Sequence, residues 1–378
     1  MSPIVNWWNR TRKVQMRVIV KIGTSSLTTE SGEVNLSSLS KLVDEVTDAR
    51  HAGHEVVVVT SGAITAGVQR LGIERPDEPE LLQAISAVGQ IDLMRAYGDS
   101  FNLHGVATGQ VLLAPHDFRD RNQYLHAQTT FEHLLKLNVV PVVNENDAVA
   151  DDAIRYGDND RIAALVANLL RADLLVLLTD TPGVLTADPR AQPDATLIEE
   201  ITATDRFTEE VAGNAGVRGS GGMASKLAAA KMASWSGVRT VIAAADRQDV
   251  LADAISAIPG IGTSVPARNA HVAARKLWIG FAVSAHGQIV VDDGATKALS
   301  SDGGSLLIAG IVGVEGDFGP GDAVEIVDCS GKTFAKGLIS LDSDVVDQWK
   351  GCRTEDLPAA MSPVAVHRDD LVVLNSPE

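Results

Sequence analysis

Apolar positions along this chain fall into short unbroken runs that alternate with longer stretches of helical spacing. Arg17–Ile22 (RVIVKI), Glu55–Thr60 (EVVVVT), Gly105–Leu113, Val139–Val143 (VVPVV), Leu174–Leu178 (LLVLL) and Thr240–Ala244 read as strands, most of them apolar on both faces. Between them, Leu36–Ala52, Glu80–Tyr97, Tyr124–Leu137, Arg161–Asp173 and Ala224–Ser236 repeat apolar residues at three- and four-residue intervals, and a further helix comes after Ser61-Gly62. Strand–helix alternation of this kind predicts a doubly wound, mainly parallel α/β sheet. From Arg275 onward the pattern changes. Trp278–Val283, Gln288–Asp292, Leu306–Val314, Ala323–Val327, Thr333–Ser340 and Val364–His367 are short β-like runs broken by Gly and Asp, with helical spacing only at Gly294–Ser301 and Ser343–Lys350. The expected division is an N-terminal extension 1–15, an α/β domain 16–259, a Gly/Pro/Thr-rich linker 260–274 and a small, mainly β domain 275–378.

Polar residues gather where the predicted strands end. The first strand closes on Lys21 and Gly23-Thr24-Ser25-Ser26, the second on Ser61-Gly62, and Leu174–Leu178 on Thr179-Asp180 before the turn formers Pro182 and Gly183. Densest is the stretch after Val143, which presents Asn144, Glu145, Asn146, Asp147, Asp151, Asp152, Asp158, Asn159 and Asp160 just before a helix. Open α/β sheets place ligands at the carboxyl ends of their strands. Helix N-termini offer N–H groups to an anion, and clustered carboxylates and amides offer acceptors to an ammonium group or a metal. A zwitterion suits the combination, although a polar loop with an Asx helix cap accounts for the stretch taken alone. Likewise Lys21 reads either as a phosphate contact or as a surface lysine at a strand end. Gly213–Lys226 (GNAGVRGSGGMASK) brings a glycine-rich loop to a helix start that bears Lys226. Within the helix of Glu80–Tyr97, the small residues around Gly89-Gln90 suggest close helix packing.

Composition narrows the classes. With 378 residues, 45% hydrophobic and 21% charged, the chain has the make-up of an ordinary globular protein of two or three domains. A net charge of −17 argues against nucleic-acid or anionic-membrane binding, which need surplus Lys and Arg, and Arg275–Glu378 repeats that balance with 8 basic against 16 acidic residues. Two cysteines, Cys329 and Cys352, make neither a disulfide framework nor a metal spacing, as expected of a cytoplasmic protein. The leader MSPIVNWWNRTRKVQM lacks an apolar signal segment, and Met16 is a second candidate start. Three familiar motifs fail. Gly-Lys-Ser/Thr of a Walker loop is absent. Gly219, Gly221 and Ala224 imitate a dinucleotide fingerprint without the preceding strand it requires. The Asp158–Asp160 run lacks the Gly and Glu of a calcium-binding loop.

Taken in order, VKIGTSSLT, VVTSGAITAG, VVNENDAV, YGDND, LLTDTPGVLTADPR, GSGGMASK and the closing PVAVHRDD resemble the bacterial glutamate 5-kinase family of the amino acid kinase superfamily, from Val18 to about Asp370. The C-terminal part resembles a PUA domain. Departures are small. Ser220 and Ser225 replace threonines of the glycine-rich loop, and Gly262-Thr263 leads to Ser264 and Val265 where an aromatic is usual, which bears on domain packing.

The resemblance implies roles residue by residue. Lys21 and Lys226 neutralise a phosphoryl group in flight, and Asp160 sits between them. Ser61, Gly62, Asp147 and Asn159 bind glutamate. Lys21, Thr179, Asp180, Ser220, Gly221, Gly222, Met223, Ala224, Ser225 and Lys226 bind ATP, with Mg2+ carried mainly by the phosphates and no protein metal site. It further implies proline as a feedback inhibitor, a place in proline synthesis, and a dimer or tetramer. General chemistry agrees, since a γ-carboxylate is already ionised at neutral pH and needs no catalytic base. Every candidate residue precedes the linker, so a chain ending near Pro266 is expected to fold and keep its chemistry.

Overall fold

A computed structural model describes the chain apart from residues 1–14, 30, 119–120, 150–158, 188, 190–191, 193, 203–221, 269–271, 273, 284, 359–360 and 375–378. The expectations for the N-terminal extension with Trp7 and Trp8, for Asp151, Asp152 and Asp158, and for Ser220 and Gly221 lie outside the described residues.

Seven strands form the first sheet: β1 Arg17–Ile22, β2 Glu55–Val59, β3 Thr108–Leu113, β4 Val140–Glu145, β5 Leu174–Thr179, β6 Arg239–Ala244 and β7 Thr263–Val265, in the order β3-β4-β2-β1-β5-β6-β7. All pairs are parallel except β6–β7. Alternation along each central strand divides the core into two layers. Ile19, Val57, Val59, Val143, Leu175 and Leu177 face α5 (Arg121–Lys136), α6 (Asn159–Leu169) and α7 (Gly222–Trp235). Val18, Val20, Val56, Val58, Val142 and Val176 face α2 (Leu36–His51), α4 (Pro79–Asn102) and α8 (Val250–Ile255). Burial on both faces is why these strands read as unbroken apolar runs. The short α1 (Thr24–Leu27) and α3 (Ala63–Leu71) come directly after β1 and β2.

Helices α3 and α4 cross backbone to backbone. A Cβ on Gly89 would lie 1.9 Å from the Ala63 carbonyl oxygen, and one on Gly67 would lie 2.1 Å from that of Ile85. The small-residue stretch in α4 is therefore the contact that ties α4 to the start of α3.

Part of the stretch expected to be a linker is an edge strand. Gly262 passes so close to β6 that a Cβ would meet the Ile242 carbonyl oxygen at 2.2 Å. The fully buried Thr263 accepts from Val184 N–H (2.8 Å) and donates to the Ile198 carbonyl (2.7 Å), latching the turn after β5. Gly183 in that turn has φ 154, and a Cβ there would meet Leu197 and Thr263 below 3 Å.

A second sheet holds β8 Gly287–Val291, β9 Leu306–Leu307, β10 Ile311–Gly316, β11 Ala323–Val327, β12 Thr333–Ile339 and β13 Val364–Val373, in the order β10-β8-β11-β12-β13-β9. Its own core includes Ile289, Val324, Ile326, Phe334 and Val366. The run Leu306–Val314 is not one strand: a 3-10 turn at Ile308–Gly310 bends it where Gly310 passes over Ala295 of the helix Asp293–Asp302. Trp278–Val283, expected to be β, is instead helical, a π-turn at Trp278–Ala282 after the short helix Ala274–Leu277. Leu277, Trp278 and Ile279 are buried in succession in one apolar cluster with Ile162, Trp235 and Val265 of the first sheet's layers and Ala323, Leu338 and Val372 of the second sheet. A short apolar run cannot be assigned to strand or helix by periodicity alone, and enclosure between two sheets decides it here.

Ending the chain near Pro266 keeps all seven strands but uncovers the surface on which Leu277, Trp278 and Ile279 sit. The truncated protein is expected to fold, to melt at least about 5 °C lower and to self-associate, because each such side chain contributes roughly 2 kcal/mol on burial. Circular dichroism melts and light scattering check this, and an unchanged Tm would mean that the cluster adds no stability.

Candidate active site

Parallel register brings the polar strand ends to one edge. Lys21 on β1 pairs with Val59 on β2 and Leu177 on β5, and Val59 pairs with Val143 on β4. Ser61-Gly62, Lys21, the Asn144–Asp147 segment and Thr179-Asp180 therefore share the carboxyl edge of the sheet. The order β4-β2-β1-β5 sets the acceptor-rich ends of β4 and β2 on one side of Lys21 and the Thr-Asp end of β5 on the other. Chain order reverses between β1 and β5, the position at which open α/β sheets bind ligands.

Three buried charges meet there. The Asp160 carboxylate, in the first turn of α6, lies 2.6 Å from Lys21 Nζ through Oδ1 and 3.2 Å from Lys226 Nζ through Oδ2. Asp160 and Lys21 are each 4% exposed and Lys226 is 6% exposed. Lys226 comes from the second turn of α7, and its Nζ also lies 3.5 Å from the Gly222 carbonyl oxygen. On β1, Lys21 reaches across the turn, with Nζ at 3.6 Å from where a Gly23 Cβ would stand. Burial alone would push the Asp160 carboxyl up; the charges of Lys21 and then Lys226, with their hydrogen bonds, outweigh it and hold the group below the usual carboxylate range. The cluster carries one net positive charge away from bulk water, a setting in which fixed charge acts strongly on an anion.

The acceptor side is built around β4. Asn144 and Asn159 both accept from the Glu145 backbone N–H through their side-chain oxygens, at 3.0 and 2.9 Å, which binds the end of β4 to the start of α6. Asp147, in the 3-10 turn Asp147–Val149, is 7% exposed, and its Oδ1 has no hydrogen-bond partner among the described residues. Burial raises its carboxyl to about 6, against a smaller downward pull from Arg75. Ser61 is buried, and Gly62, which starts α3, has φ 107, a left-handed conformation that favours glycine. Behind this turn Tyr97 donates to Thr60 Oγ1 (2.9 Å), and burial raises the phenol well above its ordinary value.

Across β1, Thr179 is buried and donates to Asp180 Oδ1 at 3.1 Å, while Asp180 is exposed. Gly222 at the start of α7 is exposed, and Met223, Ala224 and Ser225 are half-buried in its first turn. Sequence reasoning missed Thr60, Tyr97 and Gln90 behind the acceptor side and Thr263 behind the β5 turn. Each lies in a helix interior, a strand end or a presumed linker, where spacing signals packing alone.

The sequence model of the amino acid kinase family matches residues 16–244. The chain belongs to the amino acid kinase family. A PUA domain model matches residues 287–360, within the second sheet region, so this amino acid kinase carries a PUA domain. Its curated relatives include proteins named glutamate 5-kinase. That of Caldanaerobacter subterraneus subsp. tengcongensis is 44% identical over 370 residues, covering 96% of this chain and 99% of its own. The Chromobacterium violaceum protein is 43% identical over 364 residues, 95% and 98% of the two chains. A Thermoanaerobacter species has one 42% identical over 372 residues, 96% and 99%. The mainly parallel sheet followed by a β-rich PUA domain is the architecture expected of such an amino acid kinase.

Asp160→Asn leaves two buried ammonium groups facing each other without a counter-charge. Urea unfolding is expected to show a loss of about 3 kcal/mol. Because the folded-state pKa of Asp160 lies below the unfolded one, its contribution is fully present above about pH 4 and fades only as pH falls further, so the difference between wild type and variant should persist at neutral pH. Equal stability at pH 7 would mean that the carboxylate does not compensate the lysines.

Proposed function

We propose that the protein transfers the γ-phosphoryl group of ATP to the γ-carboxylate of L-glutamate, giving L-glutamyl 5-phosphate and ADP. The observation that carries this reading is the buried Lys21–Asp160–Lys226 cluster at the end of β1, flanked by the acceptor-rich turn just past β4 and the hydroxyl-bearing turn at the end of β5. Near full-length likeness to proteins named glutamate 5-kinase supports the choice of acceptor.

Glutamate lies over β4 and β2 in this reading. Asp147 and Asn159 accept from its ammonium group, and Ser61 and Gly62 border it. The nucleotide lies over β5 and α7, held by Thr179, Asp180 and the stretch Ser220–Lys226, whose Gly222–Lys226 part opens α7 and whose Ser220 and Gly221 enter from the sequence alone. A γ-carboxylate oxygen attacks the γ-phosphorus, the bond to the bridging oxygen breaks, and ADP leaves with the electron pair. No proton moves. Lys21 and Lys226 face the three equatorial oxygens between the two sides, and Asp160 keeps both ammonium groups converged without cancelling their charge.

Among the described residues no group of three His, Cys, Asp or Glu side chains is arranged to hold a metal. Mg2+ suits such a site as an ion that the phosphates bring in and that the protein meets with few groups of its own; bound there, it would neutralise phosphate charge. Among the described residues no helix is long and apolar enough to cross a membrane. The proposal includes a cytoplasmic enzyme at the entry to proline synthesis, inhibited by proline and assembled as a dimer or tetramer, with no nucleic-acid partner.

ADP release with ATP and a panel of acceptors tests the reaction. Glutamate is expected to be preferred over aspartate, N-acetylglutamate, carbamate and nucleoside monophosphates, and preference for any of these would replace the assignment. Lys21→Ala and Lys226→Ala should each lower kcat by about 3 kcal/mol in barrier terms. Near-wild-type kcat in both would sink the role given to them. Asp147 must be ionised to hold an ammonium group, and its carboxyl is raised to about 6, so kcat/KM for glutamate should climb as pH rises through that value. The KM for ATP should stay level over the same range, and a KM for glutamate without such a step would remove Asp147 from the pocket.

A further inference from the structure

Helix α4 contributes a polar side chain that neither packing nor the assigned roles explain. Gln90 is 8% exposed, and its Nε2 has no hydrogen-bond partner among the described residues. Its orientation is set by the bonds around it. Asn144 Oδ1 accepts from the Glu145 N–H, so Asn144 turns its Nδ2 outward and donates to Gln90 Oε1 at 2.8 Å. With Oε1 committed, the free end of the amide is a donor.

Asp147 is its counterpart. The 3-10 turn that bears it packs against α4, and Asp147 Oδ1 is a buried acceptor without a partner among the described residues. Gln90 Nε2 and Asp147 Oδ1 hydrogen-bond neither to each other nor to any other described residue. Buried polar atoms are almost always hydrogen-bonded in folded proteins, so a donor and an acceptor left open on touching elements mark a ligand. Gln90 is also rigidly placed. It comes directly after Gly89, where α4 crosses the start of α3 at backbone contact next to the Ser61-Gly62 turn.

We infer that Gln90 is a specificity-determining residue of the acceptor pocket, with Nε2 donating to the α-carboxylate of an α-amino acid whose ammonium group lies on Asp147. This rests on the acceptor site proposed above and names the side chain that recognises the second charged group there. The donor gives the pocket a means of rejecting acceptors that carry an amine and a distal carboxylate but no α-carboxylate.

Gln90→Glu tests it cleanly in the full-length enzyme. A carboxylate oxygen still accepts from Asn144, so the structural bond survives, while the donor becomes a negative charge facing the substrate carboxylate. The KM for glutamate should rise on the order of tenfold or more, with the KM for ATP unchanged. Gln90→Leu removes the donor without adding charge and should raise the same KM by less. In wild type 4-aminobutyrate, which lacks the α-carboxylate, should compete poorly with glutamate, and Gln90→Glu should narrow that gap. An unchanged KM for glutamate in Gln90→Glu overturns the inference while leaving the substrate reading intact. Matched losses in Tm and in ATP binding would reduce Gln90 to a structural residue and overturn it too. A wild-type enzyme inactive with glutamate would overturn both readings at once.

Discussion

One carboxylate governs the chemistry of this fold. Two lysines from elements far apart in sequence, β1 and α7, converge below the surface, and they can do so only because Asp160 stands between them. Without it the two ammonium groups would repel each other across a buried gap. Asp160 is in turn placed by α6, whose start is bound to the end of β4 through Asn159 and the Glu145 N–H. The strand that supplies the acceptor side thus also positions the charge that organises the lysines, so the two halves of the site share one mechanical support.

Much of this was legible in the sequence, for physical reasons. Central parallel strands are buried on both faces, so they appear as unbroken apolar runs. Residues just past the end of such a run lie at a known edge of the sheet, which is how Lys21, Ser61, Thr179 and Asp180 stood out as a set. Residues that act from within regular elements were not legible. Gln90 sits at a helix position where only close packing shows in the pattern, and its open donor emerges from the orientation of Asn144. Trp278–Val283 looks like a strand because a short apolar run carries no period that separates strand from helix. Thr263, in a Gly/Pro/Thr-rich stretch, resembles a connector and proves to be a buried latch.

The two sheets are joined more intimately than composition suggests. Leu277, Trp278 and Ile279 lie in apolar contact with both, and on the first sheet's side that contact includes α6. The helix that carries Asp160 therefore has the core of its own sheet on one side and the approach to the PUA domain on another.

The Thr263 latch has a consequence in time. The turn after β5, which bears the residues next to Thr179 and Asp180, is held by a side chain some eighty positions downstream. During synthesis β2 can pair with β1 as it emerges, β3 waits for β4 to join it to β2, and β5 then adds to the other side of β1. Val184 can accept from the Ile198 N–H early, but its own N–H meets the Thr263 hydroxyl only after residue 263 has left the ribosome. The turn beside Thr179 and Asp180 therefore gains its last hydrogen bonds only when nearly the whole first sheet exists.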